Sequence, residues 1–197
     1  MAKKIGFFSG IVIFILGLVA AGLFNTGMSA TNEMDFCISC HSMQTNYKEY
    51  QDTVHFKNQS GVQATCSDCH VPQQFVPKMV AKVLAAKDVY HEVVGTIDTE
   101  EKYEAHRWQM ATAVWQKMKA SNSRECRNCH DFEQMAFDDQ GRMARKKHST
   151  AIDRGQTCID CHKGIAHKEP DEPDDWDEET AGEHWSVTIA NWFAHIE

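Results

Sequence analysis

From Ile5 to Phe24 the chain is almost unbroken apolar sequence, IGFFSGIVIFILGLVAAGLF, and no charge appears until Glu33. Such a run, rising about 1.5 Å per residue, reaches about 30 Å and predicts a transmembrane helix. A cleaved secretory signal is the alternative, but its apolar region is shorter, roughly 7–15 residues, and Ser29-Ala30 makes a poor cleavage site. Two later stretches carry a helical period. Between Pro77 and Val94, residues Val80, Val83, Leu84 and Val94 form one stripe, and Lys78, Lys82 and Lys87 give a basic side. A second helix is expected from Asp98-Thr99, where Thr99 can cap and Glu100 and Glu101 suit the first turn, to about Lys119. Trp108, Ala111, Trp115 and Met118 would be its inner stripe, packed on a cofactor or on neighbouring helices. Elsewhere the pattern has no period and predicts short helices and long irregular connections, with little or no sheet.

Within the aperiodic stretches one pentad, Cys-x-x-Cys-His, occurs four times: Cys37 to His41, Cys66 to His70, Cys126 to His130 and Cys158 to His162. These are pentads 1 to 4. Two thiols so spaced can add to the two vinyl groups of one haem, and the following histidine can ligate its iron. Paired zinc knuckles or disulfides would not require that histidine, which is present every time. The pentads use all eight cysteines of the chain. Four covalently bound c-type haems are therefore expected, attached through Cys37, Cys40, Cys66, Cys69, Cys126, Cys129, Cys158 and Cys161.

So many haems on a 197-residue chain leave too little protein for an ordinary core around each. The haems themselves must be most of the core. The expected fold is mostly α: one N-terminal transmembrane helix, then a small multihaem domain of short helices and irregular loops. Its organisation reads as a cytoplasmic start and anchor at 1–24, a tetrahaem domain at 25–168 and an acidic tail at 169–197. Within the domain, 33–75 and 122–168 look like duplicated two-haem units, because pentads 1 and 2 start 29 residues apart and pentads 3 and 4 start 32 apart. The other explanation is that similar haem sites select similar residues.

Charge refines this picture. The net charge is −8, but ten of the 28 acids and none of the 20 bases lie after Lys168. The acidity belongs to the tail, and the rest carries a slight positive balance. Glu169 to Glu183 reads as extended, and Trp185 to Phe193 as an apolar end segment. No nucleic-acid partner is expected. Lys3 and Lys4 place the N-terminus in the cytoplasm. The haem domain then faces the outer, periplasmic side of the cytoplasmic membrane, with a polar stem at 25–36 holding pentad 1 near the lipid. A redox centre there can meet a lipid-soluble electron donor.

Four irons have eight axial positions. On one side stand His41, His70, His130 and His162. The best further candidates are His55, His148 and His167, each expected in an irregular stretch near a pentad. His91 and His106 fall on predicted helices, where a plain surface role is at least as good a reading; His184 and His195 are in the tail. Pentad 1 continues into Ser42-Met43, and Met43 could be packing or could replace His41 on the iron. In the latter case three distal histidines suffice for three haems, and the first haem keeps a face open to substrate.

These residues resemble the NapC/NirT family of membrane-anchored tetrahaem quinol dehydrogenases. The matching segments include Phe36 to Met43, Phe75 to Met79, Ile97 to Thr99, Glu104 to Arg107, Glu125 to His130 and Gly155 to His167. The resemblance runs from residue 5 to about 168 and leaves out the tail. It implies oxidation of a membrane quinol, menaquinol or ubiquinol, at the first haem, and relay of electrons to a periplasmic reductase. It implies Met43 as that haem's ligand and Asp88 as the acid over its open face, able to take a quinol proton. Lys82 or Lys87 would orient the quinol or depress the Asp88 pKa. Members serve nitrate, nitrite, trimethylamine N-oxide or sulfoxide reductases. A branch with a fifth haem serves the N-oxide enzyme; this chain has no fifth pentad, so a nitrate-type pathway is expected. Relatives often carry a histidine just after pentad 2; Val71-Pro72-Gln73-Gln74 supplies none. The rival reading is a passive electron-transfer subunit with six-coordinate irons throughout and no quinol site.

Overall fold

The structure, a computed structural model, describes residues 2–174 and Trp176. Among these residues there is no strand. The first element, α1, runs from Ala2 to Ala30, and its span from Gly6 has a mean hydropathy of 2.6 with none of it buried against the rest of the protein. It is long and apolar enough to cross a membrane. The helix does not stop at Phe24. Residues 25–30 are uncharged and continue it, until Thr31 folds its hydroxyl back onto the carbonyls of Gly27 and Met28, at 2.9 and 3.2 Å. The expected polar stem is thus mostly helix. A turn at 31–33 leads directly into the one-turn helix α2 (Met34–Cys37), so pentad 1 begins at the foot of α1.

Then follow α3 (Met43–Gln51), α4 (Cys66–His70), α5 (Phe75–Val93), α6 (Glu100–Ala120), α7 (Arg124–Arg127) and α8 (Arg142–Asp153). Helices α5 and α6 lie where the apolar period places them. Thr99 caps α6, its hydroxyl accepting from the Lys102 N–H at 3.3 Å. Past Ala120, Asn122 and Ser123 take left-handed φ angles of 52° and 50° and break the helix. Gly95 ends α5 at φ 78°, and the Thr96 N–H reaches back to the His91 carbonyl at 2.9 Å, a turn that glycine adopts most cheaply.

Polypeptide alone supplies little interior. Among the described residues, Tyr50, Ala81, Tyr103 and Ile159, together with Pro72, are the buried apolar side chains. A domain of this size with so few is what haem-filled space requires, and it agrees with the expectation that cofactors form the core. The tail falls largely outside the described residues, including His184, His195 and the segment Trp185 to Phe193. Trp176 is not extended away from the body: its ring meets Trp108 of α6 edge-on at 6.2 Å.

Candidate functional site

The four pentads form a chain of neighbours. Helix α2 touches α4, and α4 touches α7. The Cys37 sulfur lies beside that of Cys66; Cys69 lies close to Cys129, and Cys126 close to Cys158. Pentad 4 opens a 3-10 turn that packs along α6, where Lys119 bonds Asp160 at 2.8 Å and the Lys163 ammonium sits 4.4 Å from the Trp115 ring centre. At the seam between pentads 3 and 4, the fully buried Ser123 hydroxyl accepts from the Ile159 N–H at 3.1 Å.

Pentads 2 and 4 open identically. The Asp68 carboxylate accepts from the N–H and the hydroxyl of Thr65, both at 2.7 Å. Asp160 does the same with Thr157, at 2.8 and 3.0 Å. Each is a capping box that starts a helical turn at the first cysteine of the pentad.

The histidines pair across the fold. The rings of His70 and His167 stand 6.2 Å apart, centre to centre; those of His130 and His55 also 6.2 Å; those of His162 and His148 6.0 Å. Two metal–nitrogen bonds of about 2 Å end to end, plus about 1 Å from each nitrogen to its ring centre, come to about 6 Å. One iron fits between the rings of each pair. His41 is different. It is exposed, and no second histidine ring stands opposite it among the described residues. Its backbone N–H donates to Glu92 Oε1 of α5 at 2.8 Å. Met43 is half-buried at the start of α3.

Local structure aims each distal ring. The Tyr50 hydroxyl sits between the carbonyls of His55 and Ala64 and closes the loop that carries His55. His148 is not in an irregular stretch, as the sequence led us to expect; it lies on α8, because 142–153 has no helix breaker before Gly155. Its Nδ1–H donates to Gln140 Oε1 at 2.7 Å, which leaves Nε2 free for a metal. His167 follows pentad 4 in a stretch without regular structure. The adjacent Lys168 is bound by Arg107 of α6 and Glu49 of α3.

The three residues expected around the first haem are not one cluster. Lys82 and Asp88 are six residues apart on α5, about 120° around the helix. Lys82 reaches the foot of α1, where its ammonium donates to the Thr31 carbonyl and hydroxyl, each at 2.7 Å, close to Cys37. Asp88 faces away from it, toward His91 and toward Lys117 of α6. The Asp88 side chain is open at its surface, yet enough protein surrounds it that desolvation raises its pKa; the charges of Lys87, His91 and Lys117 oppose the rise without cancelling it. Lys82 therefore ties pentad 1 to the anchor, while Lys87 and Lys117 are the cations near the acid. Lys117, Glu92 and Arg107 carry parts of this site that the periodicity did not single out.

A helical chain with four Cys-x-x-Cys-His pentads in contact, histidine rings paired at iron spacing and almost no side-chain core is a multihaem c-type cytochrome. Residues 1–172 match the family model described as NapC/NirT cytochrome c family, N-terminal region, and the chain belongs to that family. It is 56% identical over 174 residues to the putative tetraheme cytochrome-c type of Allochromatium vinosum, covering 88% of this chain and 95% of the relative. It is 57% identical over 159 residues to the cytochrome c-type protein NapC of Escherichia coli K12, 80% of each chain. With the denitrification system component NirT of Stutzerimonas stutzeri it shares 52% over 170 residues, 86% of this chain and 85% of the relative. No solved structure matches the chain. The protein is thus a tetrahaem cytochrome with four covalently bound haems that passes electrons in a respiratory chain, and α1 is its candidate membrane anchor.

Proposed function

We propose that this cytochrome oxidises a membrane quinol beside pentad 1 and delivers the electrons to a soluble reductase outside the cytoplasmic membrane, a nitrate reductase being the leading candidate. The observation that carries the reading is the asymmetry of the histidines. Three pentad histidines face a second ring at iron spacing, and His41 does not. In this reading each pentad's two cysteines would hold one haem, and the irons of pentads 2, 3 and 4 would be held by His70 with His167, His130 with His55 and His162 with His148. Met43 takes the place of His41 at pentad 1.

Quinol releases two electrons and two protons, and the bound haem supplies one-electron redox chemistry. The chain's own residues handle the rest. Asp88, with its raised pKa, accepts one proton at its carboxylate oxygen and, being open at its surface, releases it to water before it takes the second. Lys82 keeps pentad 1 against the foot of α1, at the depth where quinol arrives. Lys87 lies beside the acid on α5 and helps hold its charge. The contacts between successive pentads favour passage from pentad 1 toward pentad 4. The NapC name of one relative and the denitrification name of another support a nitrogen-oxide reductase as acceptor.

The test is electron paramagnetic resonance of the oxidised, membrane-extracted protein, with and without a quinol analogue. We expect low-spin signals from the bis-histidine irons and one high-spin signal that the analogue alters. Four low-spin irons indifferent to the analogue would replace this reading with that of a passive carrier.

A further inference from the structure

Of the three distal histidines, His148 rides on α8 and His55 sits in a loop closed by Tyr50, but His167 lies in a segment with no regular structure. Nothing in its own backbone fixes where its ring points. The ring lies against the Asn46 backbone of α3, and the peptide that carries it there is held one residue further on. Lys168 has both backbone polar groups engaged by one ion pair: its N–H donates to Glu49 Oε2 at 2.9 Å, and its carbonyl accepts from Arg107 Nη2 at 2.9 Å. The same Nη2 binds the same Glu49 oxygen, so guanidinium, carboxylate and peptide close a triangle. The two side chains are only 9% and 10% exposed. Arg107 is braced by Glu104 at 3.0 Å and lies over the Tyr103 ring, and the Tyr103 hydroxyl donates to Asn46 of α3 at 2.7 Å. Helices α3 and α6 are thereby locked together, with the chain behind His167 gripped between them.

We infer that Arg107 and Glu49 are positioning residues that hold the His167 ring opposite His70 and so keep the iron of pentad 2 six-coordinate. The inference rests on the proposal above that His167 is an axial ligand. A planar fork is needed for it: Arg107 must address Glu49, Lys168 and Glu104 at once, which a lysine ammonium on a single stem cannot match in direction. The ion pair joins α3 to α6 and grips the Lys168 peptide of a third segment, so its gain is correct placement of a ligand rather than local helix stability.

The experiment compares the full-length, haem-loaded protein with Arg107→Leu, Arg107→Lys, Glu49→Gln and His167→Ala. Haem content, low-temperature electron paramagnetic resonance and carbon monoxide binding to the reduced protein are measured on each. Arg107→Leu should keep four haems, lose or shift one low-spin signal and bind carbon monoxide at one more haem than the parent; added imidazole should restore the low-spin form. Arg107→Lys should fall between. Should Arg107→Leu fail to assemble, Glu49→Gln, which keeps the side-chain shape, should still move the same signal. If His167→Ala leaves every low-spin signal in place, the ligand assignment itself fails. If His167→Ala removes a signal that Arg107→Leu and Glu49→Gln leave at parental g-values, with no added carbon monoxide site, the assignment survives and the positioning role is overturned.

Discussion

In the proposed mechanism Asp88 is the proton acceptor that this chain adds to its haems. Its carboxyl pKa lies above the ordinary 3.8 because surrounding protein penalises the charged form. As a base it works only when ionised, so quinol oxidation should rise with pH through that raised pKa and level off above it. Asp88→Asn should remove this limb of the profile and slow the reaction by about 10²- to 10⁴-fold, the usual worth of a positioned proton acceptor. Stability gives the control. A carboxyl whose folded pKa is raised binds more protons folded than unfolded, so ionising it costs stability as pH climbs. Asn removes that cost, and the variant should melt no lower than the parent at neutral pH. Steady-state rates with a short-chain quinol across the pH range, beside a melting curve, decide it; a parental pH profile in Asp88→Asn would exclude the role. Nothing in the periodicity pointed to this residue, since on α5 it reads as one more exposed helix carboxylate. Only the resemblance did, and only packing against α6 revealed that Lys117 shares its surroundings. The pairings of His130 with His55 and of His70 with His167 were equally hidden. They join residues far apart in the chain, and spacing rules reach no further than a turn or two of helix.

At the scale of elements, local chemistry was readable because it is local. Helix α6 was legible from Thr99, from the acids of its first turn and from its tryptophan stripe. Helix α1 was legible from composition, although its end was misplaced, because an uncharged polar run at 25–30 continues a helix as readily as it starts a stem. Helix α8 was missed for the converse reason: its apolar residues are few, and its exposed positions are basic. The likeness between the sequences around pentads 2 and 4 gains a physical explanation. Thr65 with Asp68, and Thr157 with Asp160, are capping boxes that start the helical turn holding both thiols and the histidine. Similar sites would select these residues with or without duplication. Asp160→Ala should therefore lower holoprotein stability by about 0.5–2 kcal/mol, the cost of losing an N-terminal cap. It also removes the ion pair with Lys119, whose side chain is 66% exposed and which therefore adds little. Denaturant unfolding followed through haem absorbance measures the change. Asp138→Ala, which loses only the pair of a 98% exposed carboxylate with Arg145, should be silent in the same assay.

For the whole molecule, the proposed direction of electron transfer follows the order of contacts. Pentad 1 lies under the anchor, and pentad 4 is last in the sequence of touching pentads. Helix α8 carries His148, whose ring faces that of His162; its Arg142, Arg145, Lys146 and Lys147 are all exposed and its first acid is Asp153. A concentration of one sign of charge beside the last redox centre steers an oppositely charged partner and fixes its orientation more than it tightens the complex. A triple charge reversal, Arg142→Glu with Lys146→Glu and Lys147→Glu, should slow electron transfer to an acidic soluble cytochrome by about 10-fold or more at low ionic strength. The deficit should close toward 1 M salt, where the screening length falls to about 3 Å. Oxidation by hexacyanoferrate(III), a small anion, should show the same sign with a smaller effect. Stopped-flow traces of the pre-reduced protein supply both rates, and unchanged low-spin spectra confirm that His148 has kept its place. If parent and variant share one salt dependence with the acidic acceptor, electrons leave by another face. The contact order from pentad 1 to pentad 4 would then describe the packing of the chain and not the path of the current.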